Sequence, residues 1–533
     1  MTTSSEYVFG ANIIENLTTG MYKDSRVIYR EYIQNACDSI DGAERIGILG
    51  IGEGSIEILL DARARSIEIR DNGLGVKAED FKVVLGNIAD SGKELGVDKG
   101  FRGIGRLAGL AYCSKLHFIS KAKGESVEST LVCDAMRMRE LLNENNLGEK
   151  HTASEVLEQT YSFAEKPVCD GADTDSHYFK VVLEDVNKEN SDLLDSARIR
   201  EYLAFVAPVP YQSTFLFRAK VHNHAEEVGY PIDEYKVFLD GEQLFKKYTC
   251  DIRDRGGNRD DEIHDVEFHD FYDEAGELVA WMWFGASNFK GVIDKKNNPM
   301  SCLRLRKENI QIGDESTLDQ FHREERGNRY FVGEVFAISR DLIPDSQRDY
   351  FNENGRRVSL ERMLKAYFET SLYDLYRLGS DANAARKKIV KAEQDKGDFR
   401  KKDDEQAFIS QEEREEATDK LSKSKKEAVK AKEKLEKLQS KNADDRIKAE
   451  LIDRIQKDAE KGVSEAKKAH GKGKATKNKP KEGKLAPRAA GPKYSSLTRS
   501  ERKLVTTIYE VIRLEAPKDA DRLVRAIEDK ICE

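Results

Sequence analysis

The run Arg30-Glu31-Tyr32-Ile33-Gln34-Asn35-Ala36-Cys37-Asp38-Ser39-Ile40-Asp41 constrains this chain more than any other stretch. As a helix it aligns Glu31, Asn35 and Asp38 at i, i+4 and i+7 on one face. Ile33, Ala36, Cys37 and Ile40 lie away from that stripe and can pack against a sheet. A carboxylate, a carboxamide and a second carboxylate in a row suit a metal nucleotide. Glu31 could orient or deprotonate water, and Asn35 could offer its amide oxygen to Mg²⁺, which prefers hard oxygen ligands. The same spacing also describes a helix that simply turns its polar face to solvent.

Downstream, Ser66-Ile67-Glu68-Ile69-Arg70 alternates like a strand and ends in Asp71-Asn72-Gly73-Leu74-Gly75. Gly100-Phe101-Arg102-Gly103-Ile104-Gly105 then leads into Arg106-Leu107-Ala108-Gly109-Leu110-Ala111, which could start a helix. A glycine cluster alone marks only a loop. The order polar helix, strand with Asp-x-Gly-x-Gly, glycine loop, helix resembles that of the GHKL ATPases, the superfamily of gyrase, the 90-kDa heat-shock chaperone, histidine kinases and MutL. The HtpG-like chaperone branch is the most similar. Tyr22-Lys23-Asp24-Ser25-Arg26-Val27-Ile28-Tyr29 runs into the polar helix as in that branch, and Leu85-Gly86-Asn87-Ile88-Ala89-Asp90-Ser91-Gly92-Lys93 resembles its lid hinge.

The resemblance implies a Bergerat-type α/β sandwich that binds ATP with Mg²⁺. Glu31 resembles the general base that polarises the attacking water, Asn35 the Mg²⁺ ligand, and Asp38 the second polar residue near the nucleotide. Asp71 matches the carboxylate that accepts from the adenine amino group, with Gly73 and Gly75 letting backbone pass close to the base. Ser91 and Gly92 belong to the hinge beside the nucleotide. Gly100, Gly103 and Gly105 match the loop around the phosphates, where backbone N–H groups and a helix N-terminus reach phosphate oxygens. One position departs from the pattern: His177-Tyr178-Phe179 precede Lys180 where the family places Gly-Thr. The base contact is therefore expected to rest on Asp71 and water alone.

At 533 residues the chain is long enough for about two or three domains with sizeable cores. Hydrophobic residues make up 39% and charged residues 35%, so a large share of the chain must be solvated. No window approaches the ~18–20 continuous apolar residues of a membrane span. Met1-Thr2-Thr3-Ser4-Ser5-Glu6 lacks the basic and apolar regions of a signal peptide. The 7 cysteines form no Cys-x-x-Cys pair and read as reduced, mostly buried thiols of a cytoplasmic protein.

Strands are expected at 55–61, 66–70, 114–121, 129–133 and 178–184, with helices between them, giving the ATP-binding domain over 1–190. The glycine- and charge-rich segment from Leu85 to Arg106 reads as a lid. A second α/β domain, a transducer, is expected over 191–380. There, residues 234–239 read as a strand and Asp240-Gly241 as a turn. Leu278-Val279-Ala280-Trp281-Met282-Trp283-Phe284-Gly285 is the most apolar strand, its tryptophans sharing one face as core. Alternation in Leu303-Arg304-Leu305-Arg306-Lys307 turns the leucines inward and the arginines outward. Leu342-Ile343-Pro344-Asp345-Ser346-Gln347-Arg348 resembles the loop from which the chaperone's second domain sends an arginine to the γ-phosphate, with one residue fewer after the proline than expected. Arg348 is the candidate, with Arg304, Arg306 and Lys307 as substitutes. A planar, always charged fork suits phosphate. A surface arginine paired with Asp345 or Asp349 is the plainer alternative.

Residues 381–470 are dominated by Lys, Glu, Asp, Ala and Gln. Leu421, Ala428, Ala431, Leu435 and Leu438, then Ile447, Leu451 and Ile455, form a thin seam interrupted by Ser424 and Lys425. They suggest a coiled-coil hairpin, a dimer stalk or a single solvated helix. Residues 471–493 form a basic Lys/Gly/Pro linker that could screen nucleic-acid phosphates or serve only as a tether. In 494–533, Leu504, Val505, Ile508 and Ile512, then Leu523, Val524, Ile527 and Ile531, line two amphipathic faces of a helical hairpin split by Pro517. Too small to bury much area, it should dock on a partner or a second copy. The expected whole is a slow ATPase acting as a chaperone-like clamp on a protein or nucleic-acid client, with the MORC or MutL branch acting on DNA as its rival. A histidine kinase would need a phosphoacceptor histidine ahead of the ATP domain, and no histidine precedes His117.

Overall fold

Asp61 closes the first strand, β1 (Ser55–Asp61), and accepts from the N–H groups of Arg63 and Ala64 at 2.8 Å. That turn feeds β2 (Ser66–Asp71), which pairs antiparallel so that Ile58 lies opposite Ile69. Along β1, Ile56 and Ile58 are buried while Glu57 and Leu59 face water, which gives the sheet one covered face. The computed structural model, which describes residues 9–18, 24–88, 99, 103–168, 174–471, 498–516 and 519–532, extends this pair into an eight-stranded sheet. The additions are β3 (Cys113–Lys121), β4 (Val127–Asp134), β5 (Tyr161–Pro167), β6 (Tyr178–Val186), β7 (Lys236–Leu239) and β8 (Glu242–Gln243), in the order β5-β4-β3-β6-β2-β1-β7-β8.

Helices α1 (Asn12–Leu17), α2 (Val27–Arg45), α3 (Ala78–Gly86), α4 (Ala135–Leu147), α5 (Ala153–Thr160), α6 (Ser196–Val206) and α7 (Arg218–Glu227) complete the first half. Tyr29, Ile33, Cys37 and Ile40 of α2 join Ile56, Ile58, Ile67 and Ile69 in one core. β5 was not among the expected strands. Residues 234–239, expected as part of the second domain, supply β7, which pairs parallel with β1 through Ile56 opposite Val237. The chain thus returns to its first sheet after leaving it at α6.

A second sheet takes β11 (Asp265–Tyr272), β12 (Leu278–Ala286), β13 (Cys302–Lys307), β14 (Ile310–Gln311) and β15 (Val332–Ala337) in the order β11-β12-β15-β13-β14. The short pair β9 (Asp251–Arg253) and β10 (Arg259–Glu262) lies beside it in sequence. Trp281 stacks on Phe336 with ring centroids 4.3 Å apart, and Trp283 packs on Phe215 and Tyr248, so both indoles are core. The alternation expected in β13 fails: every residue from Cys302 to Lys307 is buried, the arginines included. Arg306 pairs with Glu334 of β15 and donates to the carbonyls of Asn309 at 2.9 Å and Phe205 at 2.8 Å. Lys246, Tyr211 and Tyr248 also reach the Glu334 carboxylate. Burial and the Arg306 cation press the Lys246 pKa down, whereas Arg306 and Lys246 hold the Glu334 carboxyl low despite its burial. A charge taken from water must be paired, and here the whole cluster is.

Contacts divide the chain into the units Met1–Arg377 and Leu378–Glu533. The second unit holds most of α9 (Tyr373–Asp404), with α10 (Gln411–Lys441) and α11 (Arg446–Gly471). Asp381 meets Lys434 and Asp403 meets Arg414, so α9 and α10 run antiparallel. Gln439 meets Gln456, so α11 turns back again. Leu435, Leu451, Ile452 and Ile455 are buried between them. Ser424, read as an interruption of the seam, donates to Asp395 at 2.7 Å. The basic residues of the linker after Gly471 lie outside the described residues. In the terminal hairpin, α12 (Arg499–Glu515) and α13 (Ala520–Cys532) meet through Val505, Tyr509 and Val524. Leu504 and Ile508 of the apolar face remain exposed. Among the described residues no helix is long and apolar enough to cross a membrane. Cys37, Cys113, Cys133, Cys250 and Cys302 are free and buried.

His322 is buried against Phe368 and Phe331, and neither ring nitrogen has a hydrogen-bond partner among the described residues. Burial pushes its pKa down to about 4. The folded protein keeps it neutral while an unfolded chain takes the proton near pH 6.5, so its contribution is intact above that pH. It is lost as pH falls toward 4, by about 3 kcal/mol in all. Chemical denaturation of wild type and His322→Leu across this range should show a shallower acid loss in the variant. Parallel curves would remove His322 from the acid response.

Candidate functional site

Four polar side chains of α2 do not face water: Arg30 is 5% exposed, Glu31 9%, Gln34 4% and Asp38 7%. The helix is covered on its apolar side by the sheet and on its polar side by a cavity of about 450 Å³. The plain reading of a solvated helix face therefore does not hold. Glu31, Asn35, Asp38, Asp71, Gly75, Gly103, Gly105 and Arg348 all line this cavity. Ser91, Gly92 and Gly100 lie outside the described residues.

One end of the cavity suits a flat heterocycle. Ile69 of β2, Phe118 of β3, and Phe179 and Val181 of β6 line it, beside the buried Asp71. Asp71 sits opposite Phe179 in the strand ladder and accepts from the Gly73 N–H at 2.9 Å. Gly75 has φ +65°, and a Cβ there would strike the carbonyl of Lys121, so only glycine passes between loop and strand. Gly73 lines no part of the cavity; it lies against Ser39 of α2, and its carbonyl is 2.5 Å from His177 Nδ1. His177, from the run His177-Tyr178-Phe179 that stands in place of the expected Gly-Thr, thus contacts the Asp71 loop, a bond that resemblance could not supply.

The other end is polar. Arg30 links Glu31 Oε1 at 3.3 Å to the Gln347 carbonyl at 2.6 Å. Gly105 opens a 3₁₀ segment, Gly105–Ala111, at the place where a helix start was read, and its backbone comes so close that a Cβ would collide with Glu31 Oε2. Asp38 Oδ1 accepts from the Lys99 N–H at 2.7 Å. Arg348, on the loop between β15 and α8 (Gly355–Tyr367), donates through Nη2 to the Lys99 carbonyl at 2.6 Å. Its Nη1 is buried without a hydrogen-bond partner among the described residues, as is Gln34 Oε1. Burial lowers the Arg348 pKa, while Glu31, Glu308 and Asp38 favour its charge. Asp345, offered above as a surface partner for Arg348, accepts instead from the backbone N–H groups of Gln347, Asp349 and Tyr350.

The substitutes for Arg348 are committed elsewhere. Arg304 donates to Gln311 and the Pro299 carbonyl, Arg306 belongs to the Glu334 cluster, and Lys307 donates to the carbonyls of Ile338 and Ser339. None lines the cavity. Gln34, Lys99, Phe118 and Phe179 do, and sequence reasoning missed them. Gln34 adjoins the recognised stripe, but a glutamine in a helix is unremarkable, and no local pattern shows which strand residues face a cavity.

An apolar slot with one carboxylate, a stripe of Glu, Gln, Asn and Asp, and a buried guanidinium with an unused N–H edge fit a purine nucleotide with its phosphates beside Asn35 and Arg348. Asp71→Asn, which replaces a charged acceptor by an amide, should weaken adenosine-nucleotide binding about ten- to a hundred-fold. Calorimetric titration of the folded variant with ADP checks this, and unchanged affinity would remove Asp71 from the site.

Residues 24–161 match the family described as histidine kinase-, DNA gyrase B-, and HSP90-like ATPase. The chain is 23% identical over 374 residues to a chaperone protein HtpG of Treponema denticola, covering 64% of this chain and 51% of that protein. It is 31% identical over 97 residues to an endoplasmin homolog of Catharanthus roseus, 17% of this chain and 12% of that one. A chaperone protein HtpG of Sulfurovum sp. shares 28% over 131 residues, 21% of each chain. The chain thus spans about half the length of the first relative and less of the others.

Proposed function

Because the chain carries a GHKL ATPase domain of the HtpG-like kind, we propose that it binds ATP with Mg²⁺ and hydrolyses it slowly to drive a conformational clamp. One observation carries this reading: Glu31, Asp71 and Arg348 line a single cavity, and the Arg348 guanidinium keeps a buried N–H edge without a partner among the described residues. Asp71 accepts from the adenine amino group while Phe118 and Phe179 flank the base. Asn35 would hold the metal through its amide oxygen, and the chemistry supplied there would be the neutralisation of charge on phosphate oxygens. The backbone of Gly103 and Gly105 lies beside the phosphates, and Asp38 holds Lys99 by accepting from its N–H.

Glu31 orients or deprotonates the attacking water. Arg30 pairs with it at 3.3 Å, so the Glu31 side chain is held in place rather than loose. Arg348 stabilises negative charge that rearranges on the γ-phosphate, a task for a preorganised cation in a site shielded from water. Turnover is slow because these groups come from distant parts of the chain and must be assembled together. The work is done on a protein or nucleic-acid client, and the exposed Leu504, Ile508 and Val511 of α12 support self-association or a partner protein at the C-terminal hairpin.

Glu31→Ala should keep ATP binding and lose about 10²–10⁴-fold in single-turnover hydrolysis, because only the water-activating group is gone. Asn35→Ala should instead lose Mg²⁺-dependent binding. Wild-type hydrolysis by Glu31→Ala sinks the assignment. Arg348→Ala should bind ATP nearly as wild type and turn over slowly. Equal loss of affinity and rate would make it a binding residue only.

A further inference from the structure

Lys99 has no role in the reading above beyond the N–H it offers Asp38, yet its side chain is 5% exposed and its every polar group is used. The ammonium donates to Asp41 Oδ2 of α2 at 2.7 Å and lies 3.2 Å from Asp233 Oδ2, on the segment between α7 and β7. It also sits 5.2 Å over the Tyr235 ring, whose hydroxyl donates to Asp41 Oδ1 at 2.6 Å. Burial opposes its charge, but Asp233 and Asp41 outweigh burial and raise its pKa.

The same residue's peptide bridges the reacting end of the site. Its N–H goes to Asp38, and its carbonyl accepts from both Gln34 Nε2 and Arg348 Nη2. Asp233 is itself fixed from the second sheet, since Asn309 Nδ2 donates to its carbonyl at 2.6 Å while Asn309 Oδ1 accepts from Lys246 at 2.6 Å. A continuous set of hydrogen bonds therefore runs from the Glu334 cluster through Asn309, Asp233 and Lys99 to the guanidinium of Arg348.

We propose that Lys99 is a positioning residue for hydrolysis: its ammonium, pinned between Asp41 and Asp233, fixes the peptide that holds one edge of Arg348, so that the free edge is presented to the terminal phosphate. This rests on the ATPase reading of the cavity. Removing the pin leaves the nucleotide contacts of Asp71 and Asn35 in place and lets the arginine wander, and a misplacement on the order of 1 Å costs rate far more than binding.

Asp233→Asn is the informative variant, because the Asp233 side chain is 50% exposed and its loss should leave the fold intact. Steady-state kinetics should show kcat down about ten-fold with KM for ATP nearly unchanged. Lys99→Met should behave alike, and Asp233→Glu should recover most of the rate. Combined with Arg348→Ala, Asp233→Asn should cost nothing further, since both act through one guanidinium. A purely structural tie would lower the unfolding temperature and leave the kcat to KM split untouched. Unchanged kcat in Asp233→Asn, or a loss additive with Arg348→Ala, overturns the role of Lys99 while a Glu31-dependent ATPase keeps the site reading. Hydrolysis that persists in Glu31→Ala overturns the site reading instead, and a wild type that binds no ATP overturns both.

Discussion

Helix α2 must satisfy charge without water. Arg30, Glu31 and Asp38 are buried on a helix whose other face is already committed to the sheet. An unpaired buried charge costs several kcal/mol, so their partners have to be built in. The helix itself supplies the Arg30–Glu31 contact. The rest comes from far along the chain: the Gln347 carbonyl for Arg30, the Lys99 N–H for Asp38, and Arg348 facing Glu31. The first sheet and the second therefore fall in one contact unit, Met1–Arg377, and β7 returns to the first sheet after α6 and α7.

The second sheet meets the same problem with a different solution. β13 lies between β15 and β14 and is covered on both faces, so its two arginines could not be turned to water. Glu334 on the neighbouring strand answers Arg306, and Tyr211, Tyr248 and Lys246 complete its hydrogen bonds. The strong pair is Glu334 with Arg306. Lys246, whose ammonium is disfavoured by the same arginine, acts as a donor that closes the cluster and passes it on to Asn309. Such a cluster is weak evidence for stability, but every member has a defined partner, which fixes the register of β13 against β15.

What could be read from the sequence follows the range of the forces involved. Glu31, Asn35 and Asp38 were legible because helical spacing is local. The strand ending in Asp71 was legible because alternation is local too, and five of the first sheet's strands were expected within a residue or two of their ends. Arg304 and Arg306 were misread because alternation assumes one wet face, and whether a strand has one depends on what packs over it. β7 was read as part of the second domain, yet pairs with β1, for a similar reason: its sequence announces a strand but not its neighbour. His177 shows the limit of resemblance, since a missing threonine predicted a lost contact and not the new one to Gly73. Lys99 was invisible, because nothing local marks a lysine whose partners are 58 and more residues away.

Arg348 itself carries the last step. The stretch from Pro344 is one residue shorter than the resemblance led one to expect, which on an extended backbone would aim the side chain to the other side. The loop instead closes on itself: Pro344 bridges Phe351, the Asp345 N–H donates to the Tyr350 carbonyl at 2.9 Å, and Asp345 gathers the intervening N–H groups. Within it Arg348 adopts φ +54°, a left-handed conformation that disfavours any side chain with a Cβ. Its own carbonyl is held by the Gly313 N–H at 2.8 Å, so the conformation is enforced from outside the loop. Strain of about 1 kcal/mol or more persists only where the surroundings over-determine it. Here those surroundings are the second sheet's own connections, and what they keep in the cavity is a guanidinium with one edge on Lys99 and the other unused.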